Sequence, residues 1–151
     1  MSNLDSVFDL ISKNIQSGEK LKNLGYILEE YDGDDWKQFC SYCNEKYKRN
    51  LVKKDSNIEM LVLCWDDNQQ SNIHSHPENG CIVKVLSGSI KEEVYRKFGE
   101  EMELTECNIP SNNDIMYQEG NDGLHKITNI SDGKTVTLHV YSPPDYKPIF
   151  Y

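Results

Sequence analysis

From Tyr47 onward the chain breaks into eight short runs rich in aliphatic, aromatic and β-branched residues. They cover 47–53, 57–65, 80–86, 89–96, 101–106, 114–118, 123–130 and 135–141, with Gly, Asn, Asp and Ser between them. This is the texture of antiparallel β structure. The run 57–65 constrains the fold most. Ile58, Met60, Val62 and Cys64 alternate with Leu61, Leu63 and Trp65, so both faces of that strand are apolar and both must be covered. A sandwich or barrel core is therefore expected. Ser87 and Gly88 stand between two strand-like runs, where the glycine suits a tight hairpin turn.

The front third reads differently. Leu4, Val7, Phe8, Ile11 and Ile15 recur at helical spacing over 4–16, and Asp34 precedes a second helical stretch carrying Trp36, Phe39, Cys40 and Cys43. At the other end, Ser142-Pro143-Pro144 stops the last strand, because neither proline can donate to a ladder. Internal repeats and low-complexity segments are absent from the sequence. The expectation is one domain over 1–151 of mainly β (α+β) class. A helical segment over 1–45 packs on a β-barrel over 46–144, and a short tail follows over 145–151.

A formal net charge of −9 and the lack of a dense Lys/Arg patch argue against a nucleic-acid partner. No apolar run approaches the roughly 20 residues that span a bilayer, and MSNLDSVFDLISKN has no basic start followed by an apolar stretch. No membrane is implied, and a cytoplasmic chain is expected. Cys40, Cys43, Cys64, Cys81 and Cys107 are odd in number and dispersed, which does not suit a disulfide framework. Cys40 and Cys43 have the spacing of half a zinc site, but no second pair matches it, so they are expected as buried thiols on a helix face.

Four histidines remain. His74 and His76 stand two apart in a segment that reads as strand, which sends both imidazoles to one face, and a barrel can bring His125 opposite them. Imidazole suits zinc, iron, copper or nickel, so the ligand type does not select a metal. Two surface histidines beside a turn and one core histidine would give the same spacing. The surroundings carry more information: His74-Ser-His76 is followed by four residues, Cys81, six residues and Gly88, and His125 is followed by Asn129. This resembles the two cupin motifs, with Cys81 where most cupins have a glutamate ligand. Asn68 and Asp122 occupy glycine positions of those motifs, and Gly120 a proline position. The resemblance implies a cupin jelly-roll β-barrel.

Four segments narrow it further: Tyr47-Lys-Arg49-Asn-Leu-Val, Leu61-Val-Leu-Cys-Trp65, His74-Ser-His76 through Cys81 to Gly88, and Gly123-Leu-His125 through Thr137-Leu-His139-Val-Tyr141-Ser-Pro-Pro144. In order and content they resemble the thiol dioxygenases, in particular the cysteine dioxygenase family. The resemblance implies one mononuclear, non-haem Fe(II) held by His74, His76 and His125 with no carboxylate ligand. It implies that Arg49 holds the substrate carboxylate with the Tyr47 hydroxyl beside it, and that Cys81 and Tyr141 become joined by a thioether. It further implies that His139 and Thr137, the latter commonly a serine in the family, orient the Tyr141 hydroxyl. A cis Ser142-Pro143 bond and a monomer are also implied, and better-known animal relatives continue past the position of Tyr151.

The implied reaction oxidises L-cysteine with O2 to cysteine sulfinic acid, the first step of cysteine catabolism towards taurine and sulfate. The alternatives are a dioxygenase for 3-mercaptopropionate or cysteamine, which Arg49 disfavours, and a non-catalytic metal-binding cupin. A zinc hydrolase is disfavoured because no Asp or Glu is placed as its general base.

Overall fold

A computed structural model describes residues 3–120 and 123–151. Helix α1 (Leu4–Gln16) starts where the Asn3 side chain accepts a hydrogen bond from the Ser6 N–H at 2.8 Å, and it buries Leu4, Val7, Phe8 and Ile11 on one face. A 3-10 turn at Leu21–Asn23 and a short helix α2 (Gly25–Glu30), neither expected from the sequence, complete the helical layer together with a second 3-10 turn at Asp35–Phe39.

Eight strands follow: β1 (Lys48–Lys54), β2 (Glu59–Trp65), β3 (Cys81–Ser87), β4 (Ile90–Phe98), β5 (Glu101–Asn108), β6 (Ile115–Gln118), β7 (Leu124–Asn129) and β8 (Thr135–Tyr141). They form a five-stranded sheet in the order β1-β2-β8-β3-β6 and a three-stranded sheet in the order β5-β4-β7, with antiparallel pairing throughout. The mainly β architecture expected from the sequence is the one observed.

Strand parity divides the core. Met60, Val62 and Cys64 of β2, Ile82 of β3, and Val136, Leu138 and Val140 of β8 pack against the helices. Leu61, Leu63 and Trp65, with Cys81, Val83, Val85, Ile90 and Ile127, fill the space between the two sheets. The alternation Thr-Val-Thr-Leu-His-Val-Tyr of β8 thus places its apolar residues under the helices and Thr137, His139 and Tyr141 inside the barrel. Buried Lys84 fastens the two layers. Its Nζ donates to the carbonyls of Leu28 (2.9 Å), Glu29 (3.2 Å) and Tyr31 (2.6 Å), which close the C-terminal end of α2.

Three local expectations are corrected. Gly88 does take a positive φ of 90°, and a Cβ there would lie 2.3 Å from Thr135 Oγ1, but it turns no hairpin: β3 and β4 belong to different sheets, and the turn carries the chain across the barrel. Cys40 and Cys43 are half-buried and lie outside any helix. The chain is drawn out of helix there because tertiary partners capture it: Ser41 O accepts from Asn50 Nδ2 at 3.1 Å, and Cys43 O from Gln69 Nε2 at 2.6 Å. The segment holding His74 and His76 is not a strand; His74 makes isolated β-bridges and, among the described residues, His76 makes none.

Of the unusual motif positions, Asn68 adopts a φ of 60°, a left-handed conformation that asparagine tolerates, so it does fill a glycine's place. Asp122 lies outside the described residues. The Ser142-Pro143 bond is cis. Among the described residues, no helix is long and apolar enough to cross a membrane.

Candidate metal centre

The segment from Gln70 to His76 runs beside β7, tied to it at intervals. Ser71 N–H donates to Ile127 O (2.8 Å), and His74 and His125 exchange backbone hydrogen bonds of 3.0 and 3.3 Å. His74 and His125 are therefore directly opposed, and their rings meet on one face. His76 N–H donates to Gly120 O at 3.1 Å, which turns the third ring towards the same point.

The ligand atoms of His74, His76 and His125 all lie within 4.8 Å of one another. His125 Nε2 is 2.9 Å from His76 Nε2 and 3.1 Å from His74 Nε2. These close approaches are not hydrogen bonds, because each ring commits its proton elsewhere. His74 Nδ1–H donates to Asn72 O (2.8 Å), His76 Nδ1–H to Gly123 O, and His125 Nδ1–H to a Glu92 carboxylate oxygen (2.9 Å). Three lone pairs then face one another with no donor between them, an arrangement that a cation resolves. Imidazoles bind a first-row divalent ion at about 2.0–2.1 Å, so two at right angles stand about 3 Å apart and two at the tetrahedral angle about 3.4 Å. The separations of His125 from His76 and from His74 are of this order. Burial is the main force depressing the pKa of all three rings, well below the usual histidine value for His76 and His125, and neighbouring imidazoles reinforce it in those two. Neutral rings are what a metal requires.

Glu92 is a residue that sequence reasoning missed. In the β4–β7 register Val94 opposes His125, so Glu92 is the diagonal neighbour on the inward face. It is buried, accepts from Asn108 Nδ2 at 3.3 Å as well as from His125, and has its pKa raised by that burial. The available signal was parity, since Glu92 shares an inward face with Ile90. Glu92 engages the Nδ1 side of His125, away from the converging Nε2 atoms, so it adds no metal ligand.

Four of the remaining expected residues line a small cavity beside the imidazoles. Tyr47, Arg49, Leu63, Trp65, His139 and Tyr141 line it with His74 and His125. Arg49 opposes Leu63 across β1 and β2 and therefore shares its inward face, and its guanidinium lies 5.4 Å from the Tyr141 ring centroid. Among the described residues no carboxylate pairs with Arg49. Tyr47 stacks on Trp65 with centroids 4.3 Å apart.

On β8 a hydrogen-bonded file is formed. Trp65 Nε1–H donates to Thr137 Oγ1 (2.9 Å), Thr137 Oγ1 is 2.8 Å from His139 Nε2, and His139 Nδ1 is 3.1 Å from the Tyr141 hydroxyl. The contribution of Trp65 was not foreseen. Cys81 opposes Tyr141 in the β3–β8 register, and its Sγ lies 3.9 Å from His139 Nδ1, the nitrogen that also meets the Tyr141 hydroxyl. Burial pushes the Cys81 thiol and the Tyr141 phenol up, and burial followed by the Arg49 charge pushes His139 well down.

Comparison with known proteins decides the family. The sequence profile of "Cysteine dioxygenase type I" matches residues 4–149. The chain belongs to the cysteine dioxygenase family. It is 32% identical over 149 residues to cysteine dioxygenase type 1 of Danio rerio, covering 93% of this chain and 71% of that protein. It is 33% identical over 125 residues to cysteine dioxygenase type 1 of Homo sapiens, covering 78% of this chain and 62% of that protein.

The fold of this cysteine dioxygenase family member is shared more widely. A conserved protein with a double-stranded β-helix domain from Klebsiella pneumoniae superimposes with a TM-score of 0.62 at 16% identity, covering 76% of this chain and 91% of that one. An RmlC-like cupin from Shewanella frigidimarina gives 0.53 at 12% identity, covering 66% and 78%.

Proposed function

We propose that this chain is a cysteine dioxygenase that holds one ferrous ion through His74, His76 and His125 and adds both atoms of dioxygen to the thiol of L-cysteine, giving cysteine sulfinic acid. One observation carries the reading. Three imidazole lone pairs without a donor converge beside a small cavity that His74 and His125 line together with Arg49, whose guanidinium has no carboxylate partner among the described residues. Imidazole suits iron among the first-row metals, and membership of the cysteine dioxygenase family supports iron over zinc. When bound, the iron supplies the redox chemistry and the charge that draws thiolate and dioxygen together. Sulfur gives up four electrons and gains two oxygen atoms, so no external reductant is needed.

The protein's own part is orientation and proton placement. Arg49 offers the substrate carboxylate two parallel N–H groups, and the Tyr47 hydroxyl stands beside it. Thr137 Oγ1 already accepts from Trp65, so its own proton is free to point to His139 Nε2. His139, kept neutral by burial, then donates from Nδ1 to the Tyr141 oxygen. That arrangement leaves the Tyr141 O–H to donate into the cavity, to the bound thiol or to dioxygen. The apolar side chains of Leu63 and Ile127 on the cavity wall keep bulk water out.

The reading extends to a thioether between Cys81 Sγ and the Tyr141 ring, supported by their direct cross-strand pairing. Its formation removes two hydrogens in a two-electron oxidation, for which the co-substrate dioxygen is the oxidant, and intact mass spectrometry should find a species about 2 Da light. A cytoplasmic location is supported by the five free thiols, which suit a reducing compartment.

The deciding experiment follows oxygen uptake by the Fe(II)-loaded protein with cysteine, 3-mercaptopropionate and cysteamine, before and after Arg49→Gln. One sulfinate per dioxygen with cysteine, with a preference for cysteine that Arg49→Gln abolishes, is the expected result. Equal turnover of the three thiols by the unmodified protein would remove the specificity assigned to Arg49. No turnover by iron-loaded protein would remove the activity.

A further inference from the structure

The cavity beside the three imidazoles measures about 20 Å3, space for little more than a water molecule. The cleft outside it measures about 1170 Å3. Tyr47, Arg49 and Phe150 line both spaces and so form the partition between them. Tyr47 is held by its stack on Trp65, and Arg49 lies over Tyr141. The Phe150 ring is held least: the residue is 53% exposed, and its ring meets that of His74 only at a centroid distance of 6.1 Å.

The backbone beneath that ring is fixed. Phe150 makes an isolated β-bridge with His74. Ile149 N–H donates to Ser75 Oγ (2.9 Å), Ser75 N–H to Ile149 O (3.1 Å), and Tyr151 N–H to Ile73 O (2.9 Å). A loosely held ring on an anchored backbone, between a wide cleft and a narrow cavity, can swing without the segment leaving its place.

We propose that Phe150 is the gate and the size filter of this site, swinging aside to admit the amino thiol and then limiting the bulk that fits beside its sulfur-bearing carbon. The inference rests on the thiol-binding reading given above. A substrate anchored at both ends, by its sulfur and by its carboxylate on Arg49, cannot shift to relieve a clash, so added bulk must be taken up by the wall. One methylene against such a wall is worth about 10–200-fold in selectivity.

The test uses the Co(II)-substituted protein, in which a thiolate-to-metal absorption band reports binding without turnover. L-Penicillamine keeps the thiol, amine and carboxylate of cysteine at the same spacing and adds two methyl groups to the carbon bearing sulfur. The unmodified protein should bind cysteine at least about tenfold more tightly than penicillamine. Phe150→Ala should lose most of that preference, with Phe150→Leu intermediate. Tyr151→Ala should keep it, because Tyr151 does not line the cavity and instead lies under Lys97, 5.1 Å from its Nζ.

An unchanged preference in Phe150→Ala overturns the proposal, and so does an equal loss in Tyr151→Ala. No thiolate band in the unmodified protein would overturn the thiol-binding reading and the gate with it, so the two failures are distinguishable.

Discussion

The two halves of the site are positioned by different means. Thr137, His139 and Tyr141 ride on β8, the strand between β2 and β3, where alternation alone turns all three side chains into the barrel. His74 and His76 ride on an irregular segment, where no periodicity aims a side chain. There each imidazole needs its own anchor, the carbonyl of Asn72 for one and that of Gly123 for the other, with the backbone of His74 tied to that of His125. The strand half should therefore tolerate loss of the metal. The irregular half should depend on every contact that aims a nitrogen.

The comparison breaks most easily at a ligand. His76→Ala should lower metal affinity by about 300- to 8000-fold, since three ligands share a binding free energy of the order of 10–16 kcal/mol. Competition with a chelating indicator measures it, and a retained affinity would remove His76 from the ligand set. The next effect is smaller. Glu92→Leu leaves His125 Nδ1–H without its buried acceptor and should weaken metal binding by about 10–100-fold. Glu92→Gln, which still offers an oxygen to that N–H, should recover part of the loss. If Glu92→Leu binds metal as tightly as the unmodified protein, the orientation of His125 comes from β7 alone.

The same division explains what could be read in advance. All eight strands were legible because alternation and turn residues are local signals, and the doubly apolar β2 announced its place between two layers. The β8 face could be read for the same reason. The helix α2 was not legible, because six residues carry too little periodicity and its end is secured by Lys84 from a distant strand. His74 and His76 do come close to each other, but not through the local feature expected of them, a strand that does not form. Cys40 and Cys43 failed because tertiary hydrogen bonds to Gln69 and Asn50 overrode helical spacing. Glu92 and the Trp65 N–H act through partners more than thirty residues away, a relation that spacing along the chain does not record.

Thr137 gives the finest test of the division. Thr137→Val preserves shape and removes the hydroxyl, which leaves the Trp65 N–H and one nitrogen of His139 without their buried partner. An unsatisfied buried group costs about 1–3 kcal/mol, so a measurable fall in thermal stability is expected. With the file interrupted, His139 no longer has a fixed proton on Nδ1 to give to the Tyr141 oxygen, and kcat for cysteine should fall by about tenfold with little change in KM. Thr137→Ser restores the hydroxyl and should restore kcat. Metal affinity should be unchanged in both variants, because among the described residues no member of the file is hydrogen-bonded to His74, His76 or His125. A Thr137→Val protein that binds metal as weakly as Glu92→Leu would show that the strand and the irregular segment act as one unit, and the division would fail.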